Sequence, residues 1–592
     1  MTRLPSLRFV RAAAPALFFV CAAAAAQSPP ASWVERSNPN ARLMLDMQAR
    51  FAPEFAARAG VTGLDEEIFD LKPALVERTV EATRKVVDEL KKRLATEKDP
   101  LVRQDLEILI RQGEEGIEGV ELSERLQVPY FNLPQTIFAG IRSLLDDQVA
   151  ADRRPKALVR LRRYAGLEPG YTPITELARD RIRERLARPG LLGPVREEVE
   201  KDLANAASFA DGIGKLFEKY GIAGYAEPYA KLRQQLAEYE KFIRSEVLPR
   251  ARTDFRQPEE LYAFSLKQVG VDMPVADLVS RAHVAFREIQ NEMQALAPLV
   301  AKEKGLTATD YREVIRALKK EQVAGDAILP LYEKRITELE RLIAEKGVIT
   351  LPNRKMRIRL ATEAESAAQP APNMRPPRLI GNTGEQGEFV LPLKIAGKAG
   401  AALSYDDFTF DAAAWTLTVH EGRPGHELQF SALVERGVSL ARAIYAFNSV
   451  NVEGWALYAE AEMKPYLPLD GQLISLQHRL MRAARAFLDP GLQLGRITRE
   501  EATRVLREDV VLSEAMALQE VERYTFRAPG QATAYFCGYT RLMELRAEAE
   551  RILGPRFDRR AFHDFVLAQG LLPPALLRKA VMEDMIPKRK AA

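Results

Sequence analysis

The sequence predicts a mainly α protein, a large two-lobed helical body, and three observations predict it. Apolar residues recur at helical spacing along much of the 592-residue chain, with charged residues filling the intervals. Capping and stop residues fall where those stripes begin and end. One short segment alone is picked out as a strand. Composition agrees: 47% apolar and 28% charged residues belong to a folded soluble domain. The net charge of +4, from 86 basic and 82 acidic residues, gives no reason to expect nucleic acid or an acidic membrane surface as partner.

The first 26 residues stand apart. Arg3, Arg8 and Arg11 precede an apolar run from Ala12 to Ala26, and Gln27, Ser28, Pro29 and Pro30 follow. A basic start, a short apolar middle and an Ala-x-Ala end predict a signal peptide over residues 1–26, with the mature chain from 27 to 592 periplasmic or secreted. The run is short for a spanning helix, which needs about 20 apolar residues. No later segment reads as a membrane span, so no stable membrane insertion is expected after cleavage. Cys21 invites a lipoprotein reading, but Phe18, Phe19 and Val20 before it speak against a lipid-attachment site. Cleavage leaves Cys537 alone, and one thiol makes no internal disulfide.

Helical stripes follow. Val76, Val80, Val87, Leu90 and Leu94 share one face; Ile336, Leu339 and Ile343 share another, with Gly347 as the stop. Thr498 with Glu501 reads as a capping box. From Ala361 to Glu388 periodicity vanishes, and the Ala, Pro, Gly, Asn and Gln content predicts a long irregular loop. The strand comes directly after it, with Phe389 and Val390 at its centre. Pro392 cannot donate to a ladder, which predicts an edge strand able to pair with an extended peptide. A lobe boundary near residue 350 and one continuous helical domain are both open.

The chemistry concentrates in His420-Glu421-Gly422-Arg423-Pro424-Gly425-His426. In the familiar zinc helix, His-Glu-x-x-His puts both rings on one face. Here the separation is six, which on a regular helix leaves the rings about 120° apart. Gly422, Pro424 and Gly425 are poor helix-interior residues, so the helix is expected to break between the two histidines and swing His426 back. Glu453, in Val452-Glu453-Gly454-Trp455, supplies a carboxylate on a second helix. Two His and one carboxylate leave a zinc position open, as in catalytic sites. Glu460, seven residues on, shares its face and is either an alternative ligand or a partner orienting an imidazole. Glu421 fits the general base. The oxyanion needs a further electrophile, for which Arg523, Tyr524, Tyr535 and Tyr539 are candidates.

The segments HEGRPGHELQ, VEGWALYAE, RAARAFLDPGL, EVERYTFRAPGQATAY and FHDFVLAQGLLP occur in this order. Together they resemble the bacterial domain-of-unknown-function family 885, whose own motif usually reads His-Glu-Ala-x-Pro-Gly-His. The resemblance is specific from Gly387 onward and implies a helical zinc peptidase with a deep channel between two lobes. It implies His420, His426 and Glu453 as metal ligands, Glu421 as base and Tyr535 as the oxyanion tyrosine. One departure stands out: Gln493 replaces a His that often follows Asp-x-Gly-Leu in the family.

The expected function is therefore a zinc-dependent metallopeptidase cutting short, extended oligopeptides outside the cytoplasm. Arg523 assists at the oxyanion, and Phe389, Val390 and Tyr539 bind substrate. Two alternatives stand beside it: a zinc amide hydrolase with a non-peptide substrate, and a non-catalytic peptide-binding relative, against which the intact Glu421 argues.

Overall fold

The computed structural model describes residues 32–323, 325–392, 394–396, 402–404 and 406–591. The expected leader, residues 1–26, lies outside the described residues. Helix takes 70% of the chain and strand 3%, so helix-on-helix packing must supply the core.

The predicted stripes form helices. The first is α1 (Leu75–Thr96), which buries Val80, Val87 and Leu90. A long helix α2 (Val275–Lys304) packs along a later one, and α3 (Ile328–Lys346) ends on Gly347 at φ 57°, a left-handed stop that glycine adopts without a Cβ clash. Thr498 and Glu501 form the capping box expected of them. Three large apolar clusters hold the body together. One is N-terminal and includes Phe138, Leu161, Phe209 and Leu236. A second joins α2 residues such as Phe286 and Met293 to Ile474, Leu480 and Tyr524. The third gathers Leu45 and Leu109 with Leu339, Tyr458 and Leu545. The last two each combine side chains from before and after residue 350. Among the described residues, no helix is long and apolar enough to cross a membrane. Cys537 is free and buried.

The segment around residue 361 differs from expectation. Strand β1 (Arg357–Leu360) comes first, and a short helix, Glu363–Ala368, follows under its own Thr362–Glu365 capping box. Then come β2 (Asn373–Arg375) and β3 (Glu388–Leu391). β3 pairs in parallel with β1, Arg357 opposite Glu388, and antiparallel with β2, Arg375 opposite Glu388. The strand expected at an edge is therefore the central one. Pro392 sits one residue beyond β3, so its missing N–H interrupts no ladder bond. Phe389 and Val390 are fully buried, Phe389 edge-on against Tyr332, and both backbone edges of β3 are taken. Neither residue is available to bind substrate.

Candidate metal centre

The two histidines meet because the helix breaks between them. Helix α4 (Asp411–Leu417) runs into a wide π turn, Thr418–Gly422, that carries His420 and Glu421. The chain then reverses through Arg423 and Pro424 and restarts as α5 (His426–Arg436). Gly425 is what lets it fold so tightly: a Cβ there would lie 2.1 Å from the His420 carbonyl oxygen and 2.3 Å from that of Val419. Its N–H donates to the Val419 oxygen at 2.9 Å. Arg423 pins the insert by donating to Glu427 at 2.7 Å and to Glu340 of α3 at 2.6 Å, while Trp455 Nε1 donates to the Pro424 carbonyl at 2.9 Å. The result is that the His420 and His426 ring centroids lie 4.7 Å apart, nearly perpendicular.

Helix α6 (Ser449–Met463) brings the carboxylates. Glu453 Oε2 stands 3.2 Å from His426 Nε2 and 3.6 Å from His420 Nε2. Glu460, one face-repeat further, accepts hydrogen bonds from His420 Nδ1 at 2.6 Å and Thr416 Oγ1 at 2.9 Å and forms an ion pair with Arg482 at 3.3 Å. It is thus the partner that orients His420, and it leaves Nε2 for the cluster. Burial would raise both carboxylates. The charge and hydrogen bonds of His426 and His420 instead hold Glu453 well below the usual range, and Arg482 and His420 hold Glu460 down to about 2.

Does this donor set fit a metal? One ligand atom from each of His420, His426 and Glu453 lies within 4.8 Å of the others. Ligands about 2.0–2.1 Å from a tetrahedral zinc ion stand about 3.3 Å apart, close to the two carboxylate–imidazole separations. Two neutral-capable imidazoles and one ionised carboxylate are also the donor chemistry of catalytic zinc. The residues fit. His426 Nδ1 is buried and has no hydrogen-bond partner among the described residues, in contrast to His420.

Glu421 and His420 line a cavity of about 70 Å³ together with Tyr535, Arg523, Arg482, Arg485 and His478. Burial pushes Glu421 up to about 7, against the charge of His426, which suits a group that takes and returns a proton near neutrality. Tyr535 lies in the first turn of helix α7 (Ala534–Leu553), which crosses α6 in near backbone contact: a Cβ on Gly538 would lie 1.9 Å from the Val450 oxygen. That crossing sets the Tyr535 ring parallel to His420 at 6.3 Å. Arg523 donates to the Tyr535 oxygen at 3.2 Å.

The remaining candidates fall elsewhere. Tyr524 is buried, its hydroxyl donating to Glu520 at 2.7 Å. Tyr539 lies one turn beyond Tyr535, takes a hydrogen bond from Arg479 at 3.0 Å and does not line the cavity. Gln493, at the departure from the family pattern, donates to the Tyr524 carbonyl at 2.7 Å and accepts from the Gln257 N–H at 2.9 Å. It braces the turn carrying Arg523 and stays off the cavity wall. Sequence reasoning missed His478, Arg482 and Arg485. The signal was available in Met481-Arg482-Ala483-Ala484-Arg485-Ala486-Phe487, where two arginines sit in an otherwise apolar run and, if buried, demand partners.

Fold and site together define a mainly helical protein in which two buried histidines and a partly buried carboxylate form one cluster. The chain belongs to the family of bacterial proteins of unknown function DUF885, whose model matches residues 53–581. Two solved structures share the fold. One is described as "a putative lipoprotein of unknown function from Shewanella oneidensis": TM-score 0.69, 19% identity, 93% of this chain and 100% of that one. The other is described as "the putative lipoprotein from Colwellia psychrerythraea", with TM-score 0.72 at the same identity and coverage. Comparison with curated proteins gives no match.

Proposed function

We propose that this chain is a zinc-dependent hydrolase of the cell envelope that cuts peptide bonds of short peptides. The observation that carries the reading is the convergence of the His420, His426 and Glu453 ligand atoms within 4.8 Å, where His420 also lines a cavity together with Glu421 and Tyr535. His420 and His426 through Nε2 and Glu453 through Oε2 would hold the ion. When bound there, a zinc ion would supply Lewis acidity toward a carbonyl oxygen and toward water.

The chain's own residues do the rest. Glu421 takes the proton of the attacking water and delivers it to the leaving amine. Tyr535 offers its hydroxyl to the carbonyl oxygen as negative charge builds, and the Arg523 donation to that same hydroxyl makes it a stronger donor. Glu460 keeps the His420 ring in one tautomer and orientation. An extended substrate finds no edge on β3. The outer strand on this side is β2, and Ala371 and Pro372 just before it line the cavity. The small cavity and the buried Phe389 and Val390 favour a second reading, hydrolysis of a non-peptide amide.

Location outside the cytoplasm, periplasmic or secreted, is supported by the leader pattern of residues 1–26 and by the descriptions of the two solved relatives. Those descriptions also favour Cys21 as a lipid-attachment point, which metabolic labelling with a fatty-acid analogue tests against a Cys21→Ser control.

The experiment for the activity pairs two variants of the zinc-loaded protein. Glu421→Gln lowers kcat by about 10²–10⁴ with zinc content unchanged. Tyr535→Phe lowers kcat by about 10²–10³ and leaves KM nearly constant. Peptide turnover by Glu421→Gln at the wild-type rate contradicts the proposed base.

A further inference from the structure

The cavity has a second wall that the hydrolytic reading does not use in full. Arg482, Arg485 and Arg523 all line it, and their guanidinium carbons lie 5.9, 4.3 and 6.0 Å from the Tyr535 ring centre. Tyr535 is in turn parallel to His420. The guanidinium cluster therefore begins one side chain away from the metal donors.

Its hydrogen bonding is incomplete. Arg485 is 3% exposed; Nε and Nη2 each donate to Glu520 at 2.6 Å, while the buried Nη1 has no partner among the described residues. Arg482, 4% exposed, donates to the His478 carbonyl at 3.1 Å and faces Glu460 at 3.3 Å, and its Nε has no partner. Arg523 donates to Tyr535 and comes no nearer than 3.9 Å to Glu520. Within ion-pair distance, two carboxylates, Glu460 and Glu520, thus serve three guanidinium groups. Asp407, the other acid on the wall beside Glu421, is engaged by Lys319 at 2.6 Å and by Ser513. A buried guanidinium N–H without an acceptor is costly, and the planar fork of arginine matches a carboxylate in shape and charge. A cavity of about 70 Å³ has room for a carboxylate-sized group.

We propose that Arg485 and Arg523, with Arg482 behind them, form a carboxylate subsite, so that the enzyme acts beside an anionic end of its substrate and not in mid-chain. Two sources share this chemistry: the terminal carboxylate of a peptide and an acidic side chain next to the hydrolysed bond. The inference rests on the hydrolase reading for the bond that breaks, but not for the binding itself.

The test is calorimetric binding to the Glu421→Gln protein with one equivalent of zinc. Three probes are used: N-acetyl-trialanine as free acid, the same peptide as its C-terminal amide, and N-acetyl-Ala-Ala-Glu amide. The free acid should bind at least about ten-fold tighter than the plain amide, the scale of one charge-assisted pair. Arg523→Gln, and separately Arg485→Lys, which keeps a cation against Glu520 for folding, should bring the two within about two-fold, that scale removed. Tight binding of the Glu amide assigns the side chain as source; weak binding assigns the terminal carboxylate. Equal affinity for acid and plain amide, no binding of any probe, or a preference that survives both arginine variants overturns the subsite. Wild-type hydrolysis is scored apart. Equal kcat/KM on acid and amide overturns the subsite and spares the peptidase, whereas preferential binding without cleavage does the reverse.

Discussion

Helix α6 presents two faces, and each meets a buried histidine. On one, Tyr458 and Trp455 pack around His563, which is 1% exposed. Both of its nitrogens are engaged: Nε2 with the Tyr458 hydroxyl at 2.7 Å and Nδ1 with the Val348 carbonyl at 2.8 Å. On the other face, Glu453 and Glu460 meet His420, which is 2% exposed. There Nδ1 is fixed by Glu460, and Nε2 converges with His426 and Glu453. Burial and a good hydrogen bond are common to both. What separates a packed core histidine from a candidate ligand is a second nitrogen left to gather with other donors. His563 braces the fold, and His420 serves the site.

The comparison breaks most visibly in zinc affinity. His420→Ala should weaken zinc binding by more than about 100-fold, beyond the cost of losing a supporting partner, while His563→Gln leaves it unchanged. Equal losses in the two variants would mean that both histidines act only through stability. A smaller effect sharpens the picture from behind the ligand. Glu460→Gln keeps the shape of the side chain but removes the charge that holds Nδ1, and zinc affinity should fall by about 10–100-fold. An unchanged affinity would show that Glu460 serves only Arg482 and Thr416.

The smallest effect belongs to the other face. Burial pushes His563 down to about 4. An unfolded histidine titrates near 6.5, so between those values the unfolded chain binds the extra proton and stability rises with pH. The His563 contribution is complete above about pH 6.5 and is lost on acidification toward pH 4, on the order of 3 kcal/mol in all. Urea unfolding of wild type and His563→Gln across this range should show a steeper pH dependence in the wild type. Parallel curves would place the proton elsewhere.

Much of this was legible from sequence because it is local. Stripes such as Val80, Val87 and Leu90 encode helix by spacing, and Thr498 with Glu501 marks a helix start by the backbone N–H groups it satisfies. The break between His420 and His426 was legible for the same reason, since Gly422, Pro424 and Gly425 cannot sit comfortably inside a helix. The place of β3 was not. Its neighbours depend on which segments come to pair with it, and β1 lies 31 positions earlier in the paired register. Thr362 and Glu365 did carry a local signal, hidden by the Ala- and Pro-rich composition around them. The arginine wall was legible only in part. The apolar run around Arg482 and Arg485 signals burial, but their partners, Glu460, 22 residues upstream of Arg482, and Glu520, 35 residues beyond Arg485, are brought to them by tertiary packing.

Whether His420, His426 and Glu453 form one zinc site is decided by metal analysis of the purified mature chain after dialysis against micromolar zinc, alongside Glu453→Gln. The wild type should hold one zinc per chain and Glu453→Gln none, with both proteins folded by circular dichroism. A wild type that retains no zinc, or a Glu453→Gln protein that retains it undiminished, would rule the site out.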